Sequence, residues 1–287
     1  MALDLRNLSI RTVSGLVYAG LLIGVIVCGP LASAILLAIF AIIASWELES
    51  NVIEPENPEK WSTTWLLDAA ILAVLIFFPG VPEGNNFGLP VYFCLLGLRF
   101  IIQIFIGQKD PLRSIAVTGL EQLYIGVPLF LFVLIIEAAP NPWIIVCVLS
   151  MIWINDTGAY IVGSLIGRHK MLPKLSPKKS WEGFLGGIVF NIGAAFIFSN
   201  WFRLDSLKLF TTASGWIYIG ICVSVLATLG DLFESMLKRS LGIKDFGSII
   251  PGHGGILDRI DSLLFVIPGL TIAVFLGFLI TQSPLPG

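Results

Sequence analysis

Nine long apolar stretches, at about residues 12–28, 31–46, 64–80, 88–106, 121–139, 142–166, 183–200, 214–235 and 260–281, follow one another along the chain. A helix needs about 20 mainly apolar residues to cross the hydrocarbon of a bilayer. In lipid it must also satisfy its own backbone N–H and C=O groups, which helices do internally. The pattern therefore predicts an all-α, polytopic integral membrane protein with about nine transmembrane helices. Composition agrees: 56% of the 287 residues are hydrophobic and 13% charged, with a mean hydropathy of +0.91, whereas a soluble domain carries roughly a quarter charged residues. A net charge of −2 gives no footing for a nucleic-acid partner. Cys28, Cys94, Cys147 and Cys222 lie far apart inside apolar stretches and read as packing residues. No removable signal peptide is evident, because the first apolar stretch runs through Gly29-Pro30 straight into the next.

Alternating the nine spans from a cytoplasmic N-terminus places Arg6, Arg11, Lys60, Lys109 and Arg113 on one side. The same side receives Arg168, Lys170, Lys174, Lys178 and Lys179 of one polar loop, and Lys238, Arg239, Lys244 and Arg259 of another. Only Arg203 and Lys208 face the opposite side, and Arg99 falls within a span. The positive-inside rule thus predicts N-in, C-out insertion with nine helices, and the membrane expected is the inner (plasma) membrane. Residues 1–140 read as scaffold helices that provide lipid access or dimer contacts. Residues 141–287, where ionisable residues begin to interrupt the helices, read as the catalytic region. The acids Glu47, Glu49, Glu54, Glu56 and Glu59 read most simply as a solvated connection.

Polar residues concentrate between the eighth and ninth spans, from Ser235 to Asp261. Asp258 and Asp261 are three positions apart and share a helical face, as do Asp231 and Glu234 at the end of the preceding span. Each charge at membrane depth costs about 2.5–3.5 kcal/mol on insertion scales, so two facing acid pairs call for a compensating cation. Carboxylates without a His or Cys cluster suit Mg2+, whose remaining ligands come from substrate phosphates and water. Around the acids stand Lys238, Arg239, Lys244 and Arg259, donors suited to phosphate. The run Pro251-Gly252-His253-Gly254-Gly255 before the ninth span offers backbone N–H groups to an anion. Taken singly these are ordinary turn and topology residues; together they describe a phosphate site.

Two further groups belong to the same half. Asn155-Asp156-Thr157-Gly158-Ala159-Tyr160 sits in the sixth span. Asp156 reads as a site residue, while Asn155 and Tyr160 suit either a site or helix-to-helix hydrogen bonding. Lys174 to Gly183 contains Ser176, Lys178, Lys179 and Ser180 and ends in Trp181-Glu182. It reads as a clamp on phosphate or as a basic patch on anionic lipid.

The run from Ser235 through Lys238-Arg239, Lys244-Asp245 and His253-Gly254-Gly255 to Asp258-Arg259 closely resembles the signature of the phosphatidate cytidylyltransferase, or CDP-diacylglycerol synthase, family. The Ser176-Pro177-Lys178-Lys179-Ser180-Trp181-Glu182-Gly183 and Asn155-Asp156 to Tyr160 segments look like family features too. The resemblance covers about residues 150–262 and implies a cytidylyl transfer from CTP to phosphatidic acid, with pyrophosphate as the other product. It further implies a helical fold that is often dimeric, a cytoplasmic site, Mg2+ and a second, monovalent cation such as K+, with Asp231, Asp258 and Asp261 as metal-site acids. Lys238, Arg239 and Lys244 are then candidates to hold the triphosphate or the lipid phosphate. A CTP-dependent lipid-alcohol kinase and an ion-coupled transporter are the rival readings. The kinase predicts CDP as product, and the transporter predicts repeated discontinuous helices that the sequence does not show.

Overall fold

The computed structural model describes residues 5–52, 58–82, 85–106, 110–201, 212–250, 252 and 254–282. It is built from α1 (Leu5–Cys28), α2 (Pro30–Val52), α3 (Pro58–Phe77), α4 (Asn85–Ile106), α5 (Pro111–Glu121), α6 (Val127–Ala138), α7 (Pro142–Ile166), α8 (Trp181–Trp201), α9 (Ala213–Ser240) and α10 (Leu257–Gln282). A π-helical turn, Gln122–Gly126, joins α5 to α6 without a break, and a 3-10 turn, Phe78–Gly80, extends α3. All nine apolar stretches fall on these helices. Among the described residues, six helical segments are long and apolar enough to cross a membrane: Pro30–Val52, Phe87–Ile106, Pro111–Ala138, Pro142–Ile166, Trp181–Trp201 and Ala213–Ser240. Thr12–Cys28 and Thr64–Gly80 are shorter apolar stretches. The protein is thus an all-α, multi-pass membrane protein.

One small departure from pure helix lies in the basic loop after α7. Strands β1 (Lys170–Leu172) and β2 (Ser176–Ser180) pair antiparallel, with Lys170 opposite Ser180 and Leu172 opposite Ser176. Pro177 and the turn at 173–175 disfavour helix there, and the hairpin satisfies the backbone instead.

The chain forms two compact units, residues 1–142 with 240–260, and 143–239 with 261–287. In the first unit α2 is central, packed by α1, α3, α5 and α6. Gly29, at φ +113°, ends α1, and Pro30 opens α2, the usual order of helix stop and start. The start of α5 is fixed by Asp110, whose side chain accepts the N–H of Arg113 at 3.0 Å, with Pro111 in the first turn. Apolar packing around Leu37, Ala41, Leu72, Ile76, Leu129 and Phe132 fills the interior.

In the second unit small residues bring backbones together, as membrane helices do when no hydrophobic effect drives them. Gly183, Gly186 and Gly187 of α8 face Ala159, Gly163, Val162 and Asn155 of α7, where a Cβ would collide. Asn191 of α8 donates to the carbonyl of Gly220 at 3.3 Å and to Ser224 Oγ at 2.9 Å on α9. Gly230 of α9 lies against the backbone of Asp261 and Ser262, and Ser262 donates to the carbonyl of Ala227 at 3.3 Å. Close approach of α9 to α10 at this point positions the acids described next.

Candidate functional site

Asp231 and Glu234 on α9 and Asp261 on α10 form one group, each offering a carboxylate oxygen within 4.8 Å of the others. The i, i+3 spacing puts the first two on one face of α9, and the missing Cβ of Gly230 lets α10 bring the third beside them. Asp156 of α7 is near enough to add its negative charge to the field at Asp261. Two lysines answer these acids: Lys179 of β2 lies 2.6 Å from Asp231, and Lys238 lies 2.6 Å from Glu234 one helical turn away. Ser235 donates to Asp231 at 3.2 Å, and the N–H of Ser262 donates to Asp261 at 2.6 Å. Glu234 is buried, whereas the side chain of Asp231 is 41% exposed, so the group opens at one edge.

Three converging carboxylates that offer only oxygen fit a hard divalent cation such as Mg2+. Asp231, Glu234 and Asp261 are the side chains that would hold it.

The hairpin is tied down at several points. Ser180 caps α8 by accepting the N–H of Gly183 at 3.2 Å. Glu182 accepts the N–H of His169 at 3.1 Å and contacts its Nδ1 at 2.6 Å, and Arg239 Nε donates to the carbonyl of Leu175 at 3.4 Å. Lys178 is exposed on β2 and Ser176 is half-buried at its start. Asn155 is 2% exposed, with its amide nitrogen 3.4 Å from Asp156 and its Oδ1 close to the backbone of α8 at Gly187.

The remaining expected residues belong to the first unit. There the carboxylate of Asp258 accepts the N–H groups of Phe246 and Gly255, at 3.0 and 2.9 Å. Glu47, far away in sequence, accepts those of Ile256 and Leu257 at 3.0 and 2.9 Å. Of the backbone donors before α10, the N–H of Gly255 is thus taken by Asp258, and those of Ile256 and Leu257 at the helix start by Glu47. This explains the glycines. Gly254 adopts φ +86° against the carboxylate of Asp258, and a Cβ on Gly247 or Gly255 would strike Glu47. Lys244 and Arg259 are exposed, and His253 lies outside the described residues.

Glu47 and Glu49 correct the reading of an acidic solvated connection: both belong to α2 and are 0% and 1% exposed. Glu54 and Glu56 lie outside the described residues. Glu47 was invisible as a site-shaping residue because its partners are more than 200 positions away. The one available signal was an acid embedded in an apolar helical run.

A model of the cytidylyltransferase family matches residues 9–277. Among curated proteins, the phosphatidate cytidylyltransferase of Mycobacterium bovis is 32% identical over 277 residues, which cover 90% of this chain and 85% of that protein. Its Mycobacterium tuberculosis counterpart is 32% identical over 277 residues, covering 90% of this chain and 80% of that protein. The Haemophilus influenzae phosphatidate cytidylyltransferase is 43% identical over 126 residues, and that match spans 44% of this chain and only 43% of the relative.

Proposed function

The chain belongs to the cytidylyltransferase family, and from that premise we propose that it transfers the cytidylyl group of CTP to phosphatidic acid. The products are CDP-diacylglycerol and pyrophosphate, and the step belongs to phospholipid biosynthesis. The observation that carries this reading is the group of Asp231, Glu234 and Asp261 with Lys179 and Lys238 laid against it.

A phosphate oxygen of the lipid attacks the α-phosphorus of CTP. As that P–O bond forms, the bond from the α-phosphorus to the bridging oxygen breaks, and pyrophosphate leaves with the electron pair. The attacking oxygen is already ionised near neutral pH, so positioning and charge neutralisation carry the catalysis and no nucleophilic side chain is needed. Bound Mg2+ supplies neutralisation of the triphosphate and of the departing pyrophosphate. The family resemblance further implies a monovalent cation such as K+.

Lys179 and Lys238 act as placeholders, engaged with Asp231 and Glu234 until phosphate oxygens take over as their partners. Lys178 and Ser176 on the hairpin, with Arg239, Lys244 and Arg259, hold the phosphates of CTP or of the lipid. Asn155 and Asp156 line the same region from α7. By the resemblance Asp258 is a further metal-site acid, and Gly254, Gly255 and His253 are substrate-binding residues. The diacyl chains stay in the bilayer while the head group enters among the helices. Nine spans with the N-terminus inside put this chemistry at the cytoplasmic face of the inner membrane, and a homodimer is the assembly that the resemblance implies.

Purified protein in detergent, given labelled CTP, phosphatidic acid and Mg2+, should yield CDP-diacylglycerol and pyrophosphate together. CDP and a newly phosphorylated lipid would instead identify a lipid kinase and end this reading.

A further inference from the structure

We propose that Glu49, Asp68 and Glu121 form a second cation site in the N-terminal unit, a structural one that takes a hard divalent ion such as Mg2+. Glu49 stands near the end of α2, Asp68 in α3, and Glu121 at the last position of α5, just before the π-helical turn. Their exposures are 1%, 0% and 0%, and each offers a carboxylate oxygen within 4.8 Å of the others.

A shortage of donors points to a cation. Arg99 of α4 is the ion-pair partner of Asp68 and is itself 1% exposed. Its Nε meets both oxygens of Asp68, at 3.0 and 3.1 Å, and its remaining nitrogens donate to Gln103 at 2.7 Å, Ser114 at 3.0 Å and Thr118 at 3.2 Å. Thr118 donates to Asp68 as well, at 2.9 Å. Arg99 is thus engaged by Asp68 and neutral partners; Glu49 shares a side-chain hydrogen bond with Asp68, and among the described residues no ion pair holds Glu49 or Glu121.

Their atoms say the same. Ser45 donates to Glu121 Oε1 at 3.0 Å, but Glu121 Oε2 and Glu49 Oε2 are buried and have no hydrogen-bond partner. A buried carboxylate oxygen left without donor or cation costs several kcal/mol. Two such oxygens from different helices, converging with an oxygen of Asp68, make a donor set of the kind that Mg2+, Mn2+ or Ca2+ occupies and that soft metals do not. A π-helical turn next to a ligand is a frequent device for aiming it. Since every member is enclosed, the ion would be acquired as the helices assemble and would exchange slowly. That separates this site from the partly exposed acids around Asp231.

The test reads metal content rather than turnover, so it stands apart from the activity assay. The full chain is produced in cells supplied with Mn2+, purified in detergent, treated with EDTA and desalted, and its Mg, Ca and Mn are counted by mass spectrometry. We expect about one divalent ion per chain to resist chelation, in the wild type and equally in an Asp231→Asn/Asp261→Asn variant. Glu49→Gln and Glu121→Gln should each lower that retained metal by roughly tenfold or more. Wild-type and Asp231→Asn/Asp261→Asn proteins that stay monodisperse yet hold no divalent metal would overturn the proposal, whatever the folding of the glutamine variants. So would glutamine variants that retain as much metal as the parent or that melt higher without it, the behaviour of carboxyls held by protons.

Discussion

Each unit of the molecule gathers three carboxylates from separate helical positions, and the two gatherings are countered differently. Asp231, Glu234 and Asp261 face lysines, which are flexible point charges, and one edge is open. Glu49, Asp68 and Glu121 face an arginine that is bonded to Asp68, Gln103, Ser114 and Thr118, and all three acids are buried. Lysine can release a carboxylate when a phosphate arrives, whereas an enclosed arginine network has no second partner to turn to. On the proposals above, similar acid content would serve exchange in one place and assembly in the other.

The comparison is most severely tested at the two counter-ions. Arg99→Leu removes one partner of a buried pair and should destabilise the protein by about 3–5 kcal/mol, measured as loss of the folded fraction in detergent denaturation. Lys179→Met, at a partly exposed pair, should cost at most about 1 kcal/mol of stability while lowering turnover. Equal stability losses would erase the distinction between the two clusters.

Next in size is Asp261→Asn. It keeps shape and one acceptor but loses charge, so the rate should fall about 10^2- to 10^3-fold. Raising Mg2+ should recover part of that loss in a titration of CDP-diacylglycerol formation at matched protein levels. In the same titration Asp258→Asn should lower the rate and raise the Mg2+ midpoint. Oδ2 of Asp258 accepts the N–H groups of Phe246 and Gly255, and an unmoved midpoint would confine Asp258 to that backbone role.

Smaller still is Glu47→Gln, which sets an amide NH2 against the N–H of Ile256 or Leu257 and should cost about 1–3 kcal/mol. Gly255→Ala should produce a loss of the same kind, and a neutral outcome in thermal melts of both would show that the loop needs no such support. The smallest effect is expected for Lys178→Ala, about tenfold in kcat/KM, the worth of one hydrogen bond to a charged group. An unchanged value would remove Lys178 from the phosphate contacts.

Much of the fold was legible because membrane spans are written locally: an apolar run long enough to cross needs no knowledge of its neighbours. The spacing of Asp231 and Glu234 and the position of Asp261 were legible for the same reason, since helical periodicity converts sequence distance into a shared face. What escaped depends on contacts distant in sequence. Glu47 looked like part of a solvated acidic loop because the N–H groups it accepts belong to Ile256 and Leu257. Glu49 looked alike because Asp68, Glu121 and the engaged Arg99 lie on other helices. The glycines before α10 were legible as a close approach of backbone to an anion, but that Glu47 lies against Gly255 was not, because the two are far apart in sequence.

The hairpin carries a final consequence. Two steps along β1, from Lys170 to Leu172, span four along β2, from Ser180 to Ser176, so β2 is irregular where the lysines sit; Lys179 turns to Asp231 while Lys178 is exposed. A bulge re-aims a side chain, so which lysine meets the acid is set by that local irregularity. Removing one residue between Ser176 and Lys178 would straighten the strand and take Lys179 from Asp231, although both lysines would still be there.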